Sequence, residues 1–145
     1  MAVAIINNNL TQVHFSVQGP EDCMFSGGIY HGIIKLPNEF PFRAPHIQLL
    51  TPNGRFDLRT DVCIDGYTAW HEESWSASKN IAAIIRAVRS IFADLSQRGN
   101  GYCHVPVEAE VMKSKFESKT WVCKECGMNH ANLFLGTTAG SPEQK

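Results

Sequence analysis

The sequence has no excess of charge of either sign and no long apolar run. Its 13 Lys and Arg residues and 14 Asp and Glu residues leave a formal net charge of -1, which argues against binding to nucleic acid or an anionic membrane. No apolar run approaches the roughly 20 residues that a membrane-spanning helix needs. The start, 1–6, lacks the basic flank and the length of a secretory signal. These absences predict a cytoplasmic protein with no nucleic-acid partner and no transmembrane segment in this chain.

The chain has five cysteines among its 145 residues. An odd number of unevenly spaced cysteines without an export signal favours reduced thiols over a disulfide framework. Any chemistry at these cysteines is then thiolate chemistry or metal binding. Hydrophobic residues make up 43% of the chain, which is enough for the core of one domain of this length.

The spacing of apolar residues predicts strands in the first third of the chain and helices in the second half. Alternation of polar and apolar residues indicates a strand over 11–17, and the segments 29–36 and 46–50, which follow a glycine pair and a proline-rich loop, are expected to be strands as well. An apolar face at helical spacing predicts a helix over 78–95, capped by Ser78 or Asn80, and a weaker helix over 107–120. The short turns between the strands favour an antiparallel meander over parallel units. The expected fold class is α/β, of the α+β kind: an antiparallel β-meander with flanking helices.

One cysteine, Cys63, lies in an irregular stretch that runs from Thr51 to Ser76. A long irregular stretch inside a compact domain is more often functional than idle. A reactive cysteine needs a partly exposed setting, which loops supply more readily than core strands. A lone cysteine is nevertheless more often a small buried hydrophobe, so the surrounding residues must decide its role.

Five short segments follow one another around this cysteine. They are Gly27-Gly28-Ile29-Tyr30-His31-Gly32, Phe40-Pro41-Phe42-Arg43-Ala44-Pro45, Thr51-Pro52-Asn53-Gly54-Arg55-Phe56, Cys63, and Trp75-Ser76-Ala77-Ser78. Their order and spacing resemble the ubiquitin-conjugating enzyme family. More narrowly, the chain resembles the branch that is tail-anchored in the endoplasmic reticulum, where Thr-Pro-Asn-Gly-Arg-Phe replaces the usual His-Pro-Asn motif. The resemblance runs from about Asn9 to Ile91 and continues more loosely to Gly127.

The resemblance implies a role for Cys63 and for two polar residues near it. In the family, the matching cysteine accepts ubiquitin as a thioester from the activating enzyme and passes it to a lysine, and in this branch to serine or threonine as well. Asn53 matches the asparagine held to stabilise the oxyanion or to order the active-site loop; otherwise it only shapes a turn with Gly54. His71 is either a base for the incoming nucleophile or a surface histidine paired with Glu72 or Glu73.

The resemblance also implies the partners of the chain. They are ubiquitin, the activating enzyme and a ubiquitin ligase of the RING type. Phe42 at the tip of the proline-rich loop and Ser76-Ala77 before the long helix match the ligase-binding platform, although Phe42 is alternatively a core residue. Ala44 and Ala77 replace family prolines, which predicts a different choice of ligase. No cofactor is expected, since ATP is used by the upstream activating enzyme.

The two ends of the chain depart from the family pattern. The expected catalytic domain covers 1–127 and is short at its N-terminus, because a first strand near Thr11 leaves no room for the usual first helix. We therefore expect a fragment, a short form or impaired charging. The membrane anchor of the branch is absent, so the parent protein is expected on the cytosolic face of the endoplasmic reticulum. Residues 128–145 are expected to form a flexible tail.

A second group of cysteines lies near the C-terminus, outside the expected active site. Cys123 and Cys126, with His130 after them, have the spacing of half a zinc site, and only Cys103 and His104 remain in this region to complete it. The alternatives are unliganded thiols and a redox disulfide. No bound metal is expected, with Cys123, Cys126 and His130 as zinc candidates.

Three functions from different classes follow from these patterns. The first is a ubiquitin carrier that works through Cys63. The second is a non-catalytic relative with the same fold that binds ubiquitin or a ligase as a scaffold. The third is a small zinc-binding interaction module centred on Cys123 and Cys126.

Overall fold

The computed structural model describes residues 2–5, 11–64, 66–95, 101–102 and 106–133, without the side chains of 2, 4, 5 and 70–72. Within them lie four strands, two helices and two short 3-10 helices. The strands are β1 (Ala2–Ile5), β2 (Gln12–Gln18), β3 (Ile29–Lys35) and β4 (His46–Leu49). The helices are α1 (Ile81–Ala93) and α2 (Glu108–Ser118), and the 3-10 helices are Ala69–Ser74 and His130–Asn132.

The strands form one antiparallel sheet in sequence order, β1-β2-β3-β4. In its register, His14 lies opposite Ile33 and Ser16 lies opposite His31. Strand side chains alternate between the two faces of a sheet. His14, Ser16 and His31 therefore point to one face, and the intervening Phe15 and Gly32 point to the other.

The main hydrophobic core lies between one face of the sheet and α1. The core side chains of the sheet are Val13, Phe15, Val17, Tyr30, Ile34, Ile47 and Leu49. Helix α1 adds the apolar stripe that its 3.6-residue period predicts: Ile84, Ile85, Val88, Ile91 and Phe92. Its first turn is capped by Asn80, whose side-chain oxygen accepts a hydrogen bond from the backbone N–H of Ala83 at 2.8 Å.

The other face of the sheet is covered by a short hairpin that follows α2. We call residues 121–130 the C-terminal hairpin. Its two arms pair through the bridge between Val122 and Asn129, and the His130 N–H donates to Trp121 O at 2.9 Å. A second, smaller hydrophobic cluster forms beneath it, in which Ile33 and Leu50 pack with Cys123. Both faces of the sheet are therefore buried at its centre.

The fold confirms the predicted meander with flanking helices, the three predicted strands and the Asn80 cap. It also corrects the prediction at two places. β1 was not expected, because its short apolar sequence shows neither alternation nor a turn signal. The domain boundary expected at Gly127 lies inside the C-terminal hairpin, and the described residues 128–133 pack with the domain.

Candidate active site

Cys63 lies between two residues that anchor its backbone in the core. Val62 and Ile64 belong to the main hydrophobic core and are 0% and 4% exposed. The Val62 N–H donates to Ile47 O of β4 at 2.9 Å, which ties this segment to the sheet. Cys63 itself is half-buried and packs at the edge of the core. The chain thus fixes the backbone on both sides of a half-buried cysteine.

Tyr102 holds the backbone of Cys63 directly. Its hydroxyl donates a hydrogen bond to the Cys63 carbonyl oxygen at 2.8 Å. Burial raises the pKa of Tyr102 to about 12, although the nearby charge of Arg55 acts in the opposite direction. The phenol therefore stays protonated at neutral pH and remains a donor.

Arg55 links Tyr102 to the end of α1. Its guanidinium is fully buried and lies 4.9 Å from the centre of the Tyr102 ring, close enough for a cation–π contact. The same guanidinium donates to the carbonyl of Asp94, the C-cap of α1, at 3.0 Å. A continuous series of contacts thus leads from the end of α1 through the side chains of Arg55 and Tyr102 to the backbone of Cys63.

Gly101 allows the backbone next to Tyr102 to approach the segment that carries Cys63. Its φ of 87° is in the region that favours glycine. A Cβ at this position would lie 2.6 Å from the Asp61 carbonyl oxygen and 3.0 Å from the Val62 Cα. The backbone of 101–102 therefore packs directly against the segment that carries Cys63.

The turn after Cys63 is closed by Thr68 and Lys79. The Thr68 hydroxyl accepts from the Ile64 N–H at 3.1 Å, and the Thr68 N–H donates to Ile64 O. The Lys79 ammonium donates to Gly66 O and lies 4.4 Å from the centre of the Tyr67 ring. These contacts hold the chain that leads away from the thiol.

Asn53 is buried, and its side chain organises the loop that contains Arg55. Its Oδ1 accepts hydrogen bonds from the backbone N–H groups of Arg55 and Phe56, at 2.7 and 2.6 Å, and its Nδ2 donates to Thr51 O at 2.9 Å. The amide nitrogen carries two hydrogens, and the Thr51 carbonyl accepts one of them. Asn53 thus orders a loop that reaches Cys63 through Arg55 and Tyr102.

The exposed residues that match the ligase platform lie on two connected loops. Phe42 is 79% exposed, so it does not fill the core. Ser76 and Ala77 are exposed as well. The Trp75 indole N–H donates to Pro41 O at 2.7 Å, which joins the proline-rich loop to the loop before α1.

Comparisons with known proteins agree with this geometry. The sequence model of the family described as ubiquitin-conjugating enzyme matches residues 1–123. The chain belongs to the ubiquitin-conjugating enzyme family. The human ubiquitin-conjugating enzyme E2 J1 is 34% identical over 94% of this chain, and the bovine E2 J2 is 36% identical over 60% of it. These relatives confirm the resemblance to the tail-anchored branch.

The chain is shorter than these relatives, since the match covers 42% of human E2 J1 and 33% of bovine E2 J2. Among solved structures, human ubiquitin-conjugating enzyme E2 G1 aligns with a TM-score of 0.55 at 27% identity, over 64% of this chain and 79% of that chain. The Pex4p enzyme of H. polymorpha aligns with the same TM-score at 14% identity, over 65% of this chain and 63% of that one. This second likeness concerns the fold alone. Within the described residues, neither helix has both the length and the apolar character for crossing a bilayer.

In this member of the ubiquitin-conjugating enzyme family, the side chains of three candidate site residues lie outside the described part of the structure. The backbone of His71 lies in the 3-10 helix Ala69–Ser74, but its side chain lies outside the described residues. Cys103 and His104 also lie outside them.

The C-terminal cysteines have different neighbours from those the sequence spacing suggested. Cys123 and Cys126 lie beside His14 and His31 of the sheet. His130 is buried nearby, but its ring nitrogens bind Ser16 and the Ser118 carbonyl instead.

Sequence reasoning missed Arg55 and Tyr102 as residues around Cys63. Arg55 stands inside one of the recognised segments, but no spacing rule indicates that its guanidinium is buried. Tyr102 lies 39 residues after Cys63, with no local pattern that joins the two. The only sequence signal was the glycine at position 101, a residue type that allows the backbone to turn.

Proposed function

We propose that this chain carries ubiquitin as a thioester on Cys63 and transfers it to an amino group of an acceptor protein. The observation that carries the proposal is the half-buried thiol between two buried anchors, Val62 and Ile64, in a chain of this family. Such a setting lets a bulky acyl donor reach the sulfur while the backbone stays in place.

Loading is a thiol exchange. The Cys63 sulfur, after loss of its proton, attacks the carbonyl carbon of the thioester between the activating enzyme and the ubiquitin C-terminus. The bond from that carbon to the sulfur of the activating enzyme breaks, and the released thiolate takes up a proton. The thioester energy is conserved, so the step needs neither a metal nor a cofactor of this chain.

Transfer consumes the thioester. An acceptor amine attacks the same carbonyl carbon, and the bond to the Cys63 sulfur breaks. The amine loses one proton as the amide forms, and the released Cys63 thiolate takes up a proton. We assign Asn53 as a positioning residue, because its three hydrogen bonds order the loop that leads to Tyr102. His71 is the proposed base when the acceptor is a serine or threonine hydroxyl.

A ligase of the RING type is the proposed partner of the surface formed by Phe42, Ser76 and Ala77. A large aromatic side chain that is held out by a structured loop loses little entropy on binding. The hydrogen bond from Trp75 to Pro41 O keeps the two loops in register, so a ligase bound there contacts a defined surface.

The test is a charging assay with activating enzyme, ATP and ubiquitin. We expect a product one ubiquitin heavier that disappears with thiol reductant. With Cys63→Ser the product should resist reductant, because an oxyester replaces the thioester. Cys23→Ser is the matched control, since Cys23 is another half-buried thiol and its loss should leave charging unchanged. Failure of the parent chain to charge would favour a non-catalytic scaffold.

A further inference from the structure

Four side chains from distant parts of the chain meet between the sheet and the C-terminal hairpin. They are His14 of β2, His31 of β3, and Cys123 and Cys126 of the hairpin. One ligand atom from each lies within 4.8 Å of the others. His14 and His31 are 0% exposed and Cys123 is 2% exposed. None of the four has a role in the chemistry proposed for Cys63.

Three of the six distances between these atoms are close to the edges of a tetrahedron around zinc, and none of the six exceeds 4.8 Å. His14 Nδ1 lies 3.0 Å from His31 Nε2. Cys123 Sγ lies 3.7 Å from His14 Nδ1, and Cys126 Sγ lies 3.7 Å from His31 Nε2. Ordinary zinc bond lengths in a tetrahedral site place two nitrogens about 3.3 Å apart, and a nitrogen and a sulfur about 3.6 Å apart.

The hydrogen bonds to the other side of the His31 ring define its tautomer, and therefore which ring nitrogen has a lone pair for a metal. His130 Nδ1 lies 2.7 Å from the Ser118 carbonyl, which can only accept, so this nitrogen carries the proton. His130 Nε2 in the neutral ring then accepts from the Ser16 hydroxyl at 2.8 Å. Ser16 Oγ in turn accepts from His31 Nδ1 at 2.8 Å. His31 Nε2 is therefore left with its lone pair directed at the other ligand atoms.

His14 directs its other ring nitrogen, Nδ1, toward the cluster. Its Nε2 is buried without a hydrogen-bond partner and lies 3.8 Å from Glu125 Oε2. A proton on Nε2 faces that carboxylate favourably and leaves the Nδ1 lone pair facing the lone pair of His31 Nε2. Two facing lone pairs repel each other unless a cation lies between them. The alternative tautomer of His14 would donate from Nδ1 to His31 Nε2 at 3.0 Å, but it directs a lone pair at the carboxylate.

The charges and the turn geometry also suit zinc. Two thiolates neutralise one divalent cation, which keeps the buried group free of net charge. The carboxylate of Glu125 behind His14, and the hydroxyl of Ser16 behind His31, resemble the outer partners that orient metal-binding histidines. The Cys123–Cys126 turn closes through the Gly127 N–H, which donates to Cys123 O at 2.8 Å. Gly127 has a φ of 79°, as a tight turn around a metal needs.

We propose that His14, His31, Cys123 and Cys126 bind one structural zinc ion, which fastens the C-terminal hairpin to the face of the sheet opposite α1. All four positions are supplied by the protein, so the site is closed and has no position for a substrate. His130 supports the site through Ser16 and is not a ligand. The metal holds the second face of the fold, and Cys63 stays free for its own chemistry.

The first experiment measures metal in the purified 145-residue chain, prepared with reductant and equilibrated with zinc before removal of the excess. Elemental analysis should find about one zinc per chain. Cys126→Ser should retain no stoichiometric zinc, whereas Cys23→Ser should retain it in full. A zinc-free parent chain, or a Cys126→Ser variant that still holds one zinc, would overturn the proposal.

The cobalt spectrum of the parent chain gives a readout that needs no variant. The parent chain loaded with Co²⁺ should show the strong visible absorption of a tetrahedral site and the near-ultraviolet band of thiolate-to-cobalt charge transfer. Ser16→Ala should keep these bands but weaken the metal affinity by about 10- to 100-fold. A weak octahedral spectrum of the parent chain would contradict the site. So would a disulfide between Cys123 and Cys126, detected by mass in the reduced preparation.

Discussion

At the scale of single residues, Tyr102 is the side chain that most directly controls the backbone of Cys63. We predict that Tyr102→Phe removes the hydrogen bond to the Cys63 carbonyl while it keeps the ring on Arg55. The expected loss of stability is about 1 kcal/mol, together with slower loading of ubiquitin. Thermal unfolding and single-turnover charging measure the two effects.

Tyr30→Phe is the matched control for Tyr102→Phe. Tyr30 is a buried core tyrosine whose hydroxyl makes a longer bond, 3.4 Å, to Phe25 O. The Tyr30→Phe variant should be slightly less stable than the parent chain and should load ubiquitin at the same rate. If both variants load equally fast, Tyr102 has no special part in positioning the cysteine.

Asn53 offers a comparison between two substitutions at one position. Asn53→Ala leaves the buried N–H groups of Arg55 and Phe56 without their acceptor, which costs about 1–3 kcal/mol. Asn53→Asp keeps an oxygen for both N–H groups. Its second carboxylate oxygen would face Thr51 O, to which Nδ2 now donates. We therefore expect the aspartate variant to recover part of the stability and part of the rate of transfer to free lysine that the alanine variant loses.

A different result at Asn53 would assign it another role. If Asn53→Asp restores stability but transfers as slowly as Asn53→Ala, the amide donates to the oxyanion instead. Loss of such a donor elsewhere costs about 2.7–4 kcal/mol of transition-state stabilisation.

At the scale of structural elements, the segment 101–102 and the segment of Cys63 must pack closely. We predict that Gly101→Ala destabilises the fold by more than about 1 kcal/mol and slows charging, because the new Cβ would lie 2.6 Å from Asp61 O. Gly27→Ala is the control, because it introduces the backbone strain of a positive φ without a comparable steric clash. Gly27 also has a positive φ, of 94°, but among the described residues its Cβ would meet only Lys115 Cδ, at 3.6 Å. Equal effects of the two variants in denaturant unfolding would contradict the close packing.

The proline-rich loop is an element with an exposed side chain for a partner. We predict that Phe42→Ala leaves stability and thioester formation unchanged but lowers ligase-stimulated transfer by about 10-fold or more. Phe116→Ala is the control, because Phe116 is a similarly exposed phenylalanine, 77% against 79%, on α2. Equal loss from both variants in a discharge assay with a RING ligase would argue against this surface.

Most elements were predictable from local sequence patterns, and the exceptions have physical reasons. Helix α1 was recognised because its apolar stripe and its Asn80 cap are local signals. β1 was missed because it is a four-residue edge strand whose partner, β2, provides the pattern. The exposure of Phe42 was left open, since a sequence does not show which side of a loop faces the core.

At the scale of the whole molecule, the two faces of the sheet have different functions. One face packs on α1 and supports Cys63, and the other carries the cluster of His14, His31 and the two hairpin cysteines. The sequence indicated the cysteine pair but not its histidine partners. His14 and Ser16 alternate with core residues, as solvent-facing polar residues do, and only long-range folding brings the hairpin over them.

The proposed zinc site leads to a prediction about the whole fold. Removal of zinc by a strong chelator should lower the melting temperature and increase amide exchange in the hairpin and at the centre of β2 and β3. The amide exchange of the residues around Cys63 should change much less on removal of zinc, because these residues are held by α1 and Tyr102. Hydrogen exchange with mass detection measures this pattern. If the hairpin amides exchange equally slowly with and without chelator, the proposal that a metal fastens the hairpin is contradicted.

The most direct test of the central proposal is the intact mass of the chain after charging, recorded in acid without reductant. The parent chain should gain the mass of one ubiquitin less one water, and brief treatment with a thiol should reverse the gain. Cys63→Ala should gain nothing, while Cys23→Ser should behave as the parent chain does. A parent chain that stays unmodified, or a Cys63→Ala variant that gains the same thiol-sensitive mass, would contradict Cys63 as the carrier of ubiquitin.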